Sequence, residues 1–355
     1  MKKPRFEVLP KGKVLLTTSD AVFLVRGNTV YKTDHKFRAR ELSGSFDCGW
    51  FWNSLAKFRW TSRLARLGFH GLYAYRSTFV GIQKGHIVLL DKASGKFVSV
   101  FSDFRGSRPL SLLITPGNEI YFGEYFGNAE RAEVHIYKSV NGNDWIKAYT
   151  FEPGAVRHIH GMVWDAYKQG IWVLTGDSNQ ESGLWFTDDD FKTLRKYSDN
   201  SQKSRAVEIV PISEDKLLVP MDTPLTQNQV NWFDVETGSF SSVLEVEGSV
   251  FHIIETSGLY CLSTVTEPSE VNKTKKVYLY VSLDGRNWAK LLSIEKDFVP
   301  VRHQKYFGYA EISFAQTPSD TEYIYAHARA IRGHDGRTLR WKVSEVKQML
   351  NDKFS

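Results

Sequence analysis

Cysteine is nearly absent from this chain of 355 residues: only Cys48 and Cys261 occur. Two isolated thiols support neither a disulfide framework nor a cysteine-based metal site. Long hydrophobic runs are missing as well, and no stretch approaches the roughly 18 uninterrupted apolar residues of a membrane-spanning helix. The start, MKKPRFEVLPKGKVLL, is basic but has no apolar core, because Pro4, Arg5, Glu7 and Pro10 interrupt it. A secretory signal is therefore not expected, and the reading is a cytoplasmic protein, at most peripheral on a membrane. Walker, Gly-x-Ser-x-Gly, His-Glu-x-x-His, Cys-x-x-Cys and dinucleotide motifs are all lacking, which removes the enzyme classes they mark. The formal net charge of +6 is too small to argue for a polyanion, and nucleic acid is not an expected partner.

Aromatic residues are plentiful at 14%, with Trp 10, Tyr 16 and Phe 23 beside 26 glycines. Runs of four to eight Val, Ile, Leu, Tyr, Phe and Trp residues, bounded by Gly, Asp, Asn, Ser or Pro, read as short strands between tight turns. They occupy 13–18, 78–82, 87–91, 119–123, 170–175, 216–220, 277–282 and 322–326. Helical periodicity is weak outside 51–67 and 343–350. One turn appears twice in clear form, as Ser139-Val-Asn141-Gly142-Asn-Asp-Trp145 and Ser282-Leu-Asp284-Gly285-Arg-Asn-Trp288, and once degraded, as Thr187-Asp-Asp189-Asp190-Phe191. With weaker counterparts, the first residue of the turn falls at 33, 90, 139, 187, 233 and 282, in steps of 57, 49, 48, 46 and 49. A period of about 40–50 residues with about four strands per unit marks propeller blades. The predicted fold is a single all-β propeller over 1–355. Seven blades are expected, at 5–46, 66–109, 110–159, 160–206, 207–253, 254–308 and 309–351, with six as the alternative.

The two clear turns resemble the Asp-box, or BNR repeat, of the sialidase-like superfamily, written loosely Ser-x-Asp-x-Gly-x-x-Trp. Each is one residue shorter before the Gly than the commonest form. The resemblance implies a β-turn between the outer two strands of a blade, in which Asp or Asn bonds its own turn and the Trp packs between sheets. The motif is a scaffold shared by sialidases, other glycan-active enzymes, lyases, photosystem assembly factors and sorting receptors. True sialidase chemistry is not implied. No Arg-Ile-Pro segment occurs, Ser107-Arg108-Pro109-Leu110 being the nearest string, and the neighbours Glu124 and Tyr125 point to opposite faces of a strand. The residue types look closer to propeller polysaccharide lyases, where His and Tyr move protons and Arg neutralises a uronate.

Aligned by their apolar cores, the first strands of successive blades place Arg108, His158 and Arg205 at one equivalent point, and His252 at a nearby one. The ends of the second strands carry Glu124, Asp177 and Asp222. Adjacent strands run antiparallel, so both sets are expected at one channel mouth. The densest segment is Val156-Arg157-His158-Ile-His160-Gly, with Asp177 following in the same blade. A His-x-His pair on a strand points both rings to one face, which suits metal binding or paired acid/base duty; the plain alternative has one ring on backbone and the other in solvent. Glu124, Asp177, His158 and His160 are the candidate catalytic groups. Arg108, Arg131, Arg157, Arg205, Asp222, His252 and Tyr125 are the candidate substrate contacts. No cofactor is expected, with room left for a divalent cation.

The long first step in the repeat is filled by 47–67, a basic-aromatic insertion. At 100° per residue Arg59, Arg63 and Arg66 share a 60° sector, while Phe58, Trp60 and Leu64 lie on the other side. With Trp50, Phe51 and Trp52 nearby, it resembles an interfacial helix on an anionic membrane, the alternative being a cap on the propeller or a contact with another chain. The function expected is cleavage of an acidic or bacterial surface polysaccharide at the channel mouth, by hydrolysis or elimination. A non-catalytic glycan- or protein-binding scaffold in a membrane-associated biosynthetic complex is the rival, and a metal lyase or hydrolase a third reading.

Overall fold

The computed structural model describes residues 4–354. Strands succeed one another in antiparallel sets of four. Four such sheets cover 113–151, 158–196, 210–245 and 250–295, each with its strands in sequence order. Two further sets, 13–46 and 71–101, share one eight-stranded sheet through the parallel pairing of Arg40–Phe46 with Lys96–Phe101. The last sheet combines three strands between Glu311 and Lys342 with the amino-terminal strand Glu7–Val8, which pairs with Arg337–Lys342. The expected first blade therefore begins too early, because its leading strand completes the final sheet.

Contacts divide the chain into two compact units. One holds residues up to Leu72, Leu90–Phe97 and everything from Glu247; the other holds Tyr73–Leu89 and Val98–Val246. In the second, the middle strands are buried on both faces: every residue of Gly170–Gly176 is buried, so the run Ile171-Trp-Val-Leu174 is continuous rather than alternating. Outermost strands such as Phe240–Glu245 are half-buried or exposed. Close approach of successive sheets requires glycine at the seam. A Cβ on Gly161 would lie 2.3 Å from the carbonyl oxygen of Val207, and one on Gly123 2.4 Å from Ile159.

Each repeated turn joins the third and fourth strands of its sheet, between Val134–Ser139 and Ile146–Phe151 and between Lys276–Ser282 and Trp288–Glu295. Asn141 Oδ1 accepts the N–H groups of Asn143 and Asp144, and Asp284 Oδ1 those of Arg286 and Asn287. The Ser139 and Ser282 hydroxyls accept the Gly142 and Gly285 N–H groups at 2.9 Å, and both glycines hold the positive φ that the turn needs. Trp145 stacks on Phe101 with centroids 5.3 Å apart, and Trp288 is buried and donates to the Gly285 carbonyl.

The insertion forms two short helices, α1 (Trp50–Ala56) and α2 (Arg59–Ala65), broken at Lys57 and Phe58. A short helix not expected from periodicity, α3 (Gln304–Phe307), packs on α2, and α4 (Val343–Phe354) runs past its expected end. The structure corrects the lipid-facing role given to Arg59 and Arg63. Arg63 is buried, its Nη1 2.6 Å from Asp297 and 3.4 Å from Asp335, and Arg59 makes a bidentate pair with Asp335. Both arginines anchor the insertion to its own unit; Arg66 remains exposed.

Truncating the two turn tryptophans should have unequal effects. Trp288→Ala is expected to cost about 3–5 kcal/mol, as for a buried aromatic, and Trp145→Ala less, because its ring is only half-buried. Urea melts of both variants check the order.

Candidate functional site

The strand His158–Asp165 carries a register shift between Ile159 and Gly161, so His160 is the extra, unpaired residue. Only glycine at 176 leaves room for its ring, since a Cβ there would lie 2.5 Å from His160 Cε1. His158 Nδ1 is 3.1 Å from the Phe126 carbonyl oxygen, and His160 Nδ1 3.1 Å from that of Ala206. A carbonyl can only accept, so each Nδ1 carries hydrogen and, in the neutral ring, each Nε2 carries a lone pair. The two Nε2 atoms face each other at 3.1 Å, and Asp177 Oδ1 lies 3.4 Å from the first and 3.3 Å from the second. Both rings are buried. The Tyr125 ring packs against His158 at 4.3 Å.

Two guanidinium groups close on the same carboxylate. Arg157 Nη1 donates to Asp177 Oδ2 at 2.8 Å, and Arg205 Nη2 lies 3.1 Å from Oδ1. Arg205 Nη1 and Gln202 Nε2 each donate to the Asp177 carbonyl at 3.0 Å. Asp222 stands behind, its Oδ2 3.9 Å from Arg205 Nε. Burial pushes the Asp177 carboxyl up, but hydrogen bonding from the rings, which needs a proton on Nε2, and the Arg205 charge outweigh it and hold the group well below the usual carboxylate range. Asp177 is thus held as an anion, which suits it to charge stabilisation rather than to proton donation among the acid/base duties considered for it. The most accessible side chain of the cluster is Arg157, about one-third exposed (35%), with Asp177 at 22%.

Glu124 is also placed differently from expectation. Its carboxylate is fully buried and gripped by the Arg105 side chain through both oxygens, with the Arg105 and His135 backbone N–H groups donating at 3.0 Å. Burial raises its pKa, and these bonds lower it further, for a net depression. An ionised, fully engaged carboxylate offers neither acid nor base; it ties the 105–108 loop to the sheet. Arg131 pairs with Glu181 and donates to the Asn128 and Ala129 carbonyls, which makes it a loop clasp. Arg108 is half-buried in the lead to Leu113–Ile114. His252 belongs to the other compact unit, opposite Ser263 on the strand Val250–Thr256.

The structure thus gathers His158, His160, Asp177, Arg157, Arg205, Asp222 and Tyr125. Sequence reasoning missed Arg105 and Gln202. Arg105 lay one turn ahead of Arg108 in a Gly-Ser loop and offered a weak signal; Gln202, in the polar tract 199–204, offered none.

Glu124→Gln should remove a pH-dependent share of stability. A carboxylate with a depressed folded pKa contributes fully above its unfolded value of about 4.3, and that contribution declines as pH falls towards the folded value. The variant should lose about 1–3 kcal/mol at pH 7, and its deficit should narrow below about pH 4. Melting curves between these conditions check the sign.

No protein-family profile matches the chain, and no curated protein sequence matches it. Among solved structures, a chain of the mitotic checkpoint complex is similar over 96% of this chain and 94% of its own, at 13% identity and a TM-score of 0.56. A chain of Kuenenia stuttgartiensis hydrazine synthase is similar over 78% of this chain and 76% of its own, at 13% identity and a TM-score of 0.54. The GH74 enzyme of Niastella koreensis gives 16% identity and a TM-score of 0.50 over 79% of this chain but only 46% of that one. At these identities the likeness shows the fold alone, a propeller-like succession of four-stranded sheets.

Proposed function

We propose that the chain is a seven-bladed, Asp-box propeller acting on an acidic polysaccharide at the Asp177 cluster, by elimination rather than hydrolysis. The seven sets of four strands and the pairing of Glu7–Val8 with Arg337–Lys342 support the blade count. One observation carries the chemistry: two guanidiniums and two imidazoles converge on a carboxylate that is itself locked as an anion. Hydrolysis by a carboxyl pair needs one of the two protonated, and both Glu124 and Asp177 are held ionised.

Elimination from a uronate has different needs, which these residues meet. Arg157, the accessible cation, pairs with the sugar carboxylate and stabilises the charge that grows as the α-proton leaves. An imidazole Nε2 takes the C5 proton, the C4–O4 bond breaks as C4=C5 forms, and that same proton, passed across the 3.1 Å gap to the facing Nε2, goes on to O4. Asp177 offsets the positive charge on the rings, and Arg205 holds Asp177. The sugar approaches along the Arg157–Asp177 edge, because the rings themselves lie below the surface.

Uronate-containing polysaccharides incubated with the protein should yield the ultraviolet absorbance of a conjugated C4–C5 product. Arg157→Ala should raise KM about tenfold or more, the worth of one charge-assisted pair. New reducing ends without that absorbance would mean hydrolysis, and neither signal across the panel would remove the cleavage reading.

A second reading, attachment to an anionic membrane surface, is favoured by a separate observation. Trp50 is 82% exposed and Phe298, beside Trp60 in space, is 77% exposed. Phe51, Trp52, Phe58 and Leu64 are exposed with them, and the cations Lys57, Arg66, Arg302 and Lys305 remain in solvent on the same elements. Apolar rings beside exposed cations match the two forces that hold a peripheral protein on anionic lipid. No helix among the described residues is long and apolar enough to cross a membrane. The protein should co-sediment with phosphatidylserine vesicles, less so at high salt, and a Trp50→Ser/Phe58→Ser/Phe298→Ser variant should lose binding while still melting cooperatively. Equal sedimentation of the folded variant would assign these rings to another role.

A further inference from the structure

The bonds around His158 and His160 leave an electrostatic problem at the centre of the cluster. Both Nδ1–H groups are committed to backbone carbonyls. Two imidazole lone pairs and a carboxylate oxygen therefore point into one small space, 3.1, 3.3 and 3.4 Å from one another. Three acceptors at that spacing repel unless something positive lies between them. A single proton shared by the rings satisfies one pair at most.

The geometry points to a divalent first-row transition-metal ion, zinc being the best match, held by His158 Nε2, His160 Nε2 and Asp177 Oδ1. Ligand atoms around a tetrahedral ion with bonds of about 2.0–2.1 Å lie about 3.3–3.4 Å apart, which is close to the three separations in the cluster. Two nitrogens and one oxygen form a donor set that zinc and its neighbours accept, while calcium and magnesium favour all-oxygen shells. The surroundings are those of a built site. Each ring is oriented through its Nδ1 by a backbone carbonyl, and the carboxylate is braced on its other oxygen by Arg157, which is the outer shell that fixes metal-ligating groups. Arg205, on Oδ1, occupies a second lone pair of the same oxygen. Only glycine at 176 lets the His160 ring reach its place. With three protein ligands the ion keeps a coordination position open, the arrangement of catalytic rather than structural sites. This inference goes beyond the proposed function and competes with its acid/base step, because an ion on both Nε2 atoms takes the lone pairs that would move the proton. It is tested without any glycan, so either can fail alone.

Protein stripped with a chelator is titrated with Zn²⁺ by calorimetry and with Co²⁺ by visible absorption. We expect one ion per chain, a dissociation constant below about 1 μM, and a melting temperature that rises with free Zn²⁺. His158→Ala and His160→Ala should each weaken binding at least about tenfold, with circular dichroism unchanged. Should either variant fail to fold, the wild-type Co²⁺ spectrum decides. Intense bands saturating at one equivalent indicate a low-coordinate nitrogen and oxygen site and support the assignment. Weak bands like those of the hydrated ion overturn it. Sub-stoichiometric Zn²⁺, or an affinity that folded His variants leave unchanged, overturns it equally.

Discussion

Sheets whose middle strands are apolar on both faces cannot stand alone, and the rest of the structure follows from how they cover one another. In the unit containing residues 98–246, successive sheets of that unit bury their faces against one another, and the seams are drawn tight where glycine replaces a side chain. Gly123 admits Ile159, and Gly161 admits the Val207 carbonyl. The candidate site is a product of these seams. His158 bonds a carbonyl from the preceding segment, Phe126, and His160 one from the following segment, Ala206. Two residues of one strand thus read the positions of both neighbours. Ring placement is set by packing far larger than the site itself, which is how a preorganised site stays rigid.

Charge is handled in the same way throughout. Cations and buried or half-buried carboxylates meet in pairs drawn from different segments of the chain: Arg63 with Asp297, Arg105 with Glu124, Arg205 with Asp177. Breaking such a pair leaves a buried charge uncompensated, which costs more than the pair itself contributes. The pairs therefore act chiefly to fix where loops and insertions sit. The Asp177 cluster differs from the others in one respect. Two imidazoles are brought to a carboxylate already satisfied by two arginines, a supply of cationic and proton-binding groups beyond what anchoring requires.

Much of the fold was legible because local chemistry repeats. Ser139, Asn141 and Gly142, and again Ser282, Asp284 and Gly285, make bonds within five residues of themselves, so the sequence displays the whole interaction. The His158–His160–Asp177 convergence was legible because it involves adjacent strands of a single sheet. Long-range partners were not. Nothing near Glu124 announces that Arg105 will claim it, and nothing near Arg59 or Arg63 announces Asp335 and Asp297, more than 230 residues away. The helical wheel sorted those arginines correctly to one face but could not tell whether water, lipid or protein lay beyond it. Phe298 joined the aromatic surface through tertiary contact alone.

The pairing of Glu7–Val8 with Arg337–Lys342 carries a consequence for how the chain is made. Arg340 grips Glu7 across 333 residues of sequence, and Leu9 N–H reaches the Thr338 carbonyl. Glu7 is thus made 333 residues before its partner Arg340, and the final sheet forms only after that partner follows. Earlier sheets, closed by hairpins, form from neighbouring segments as they emerge. Throughout that interval the final sheet's outer strand is an unpaired ribbon, open to β-pairing with any other nascent chain.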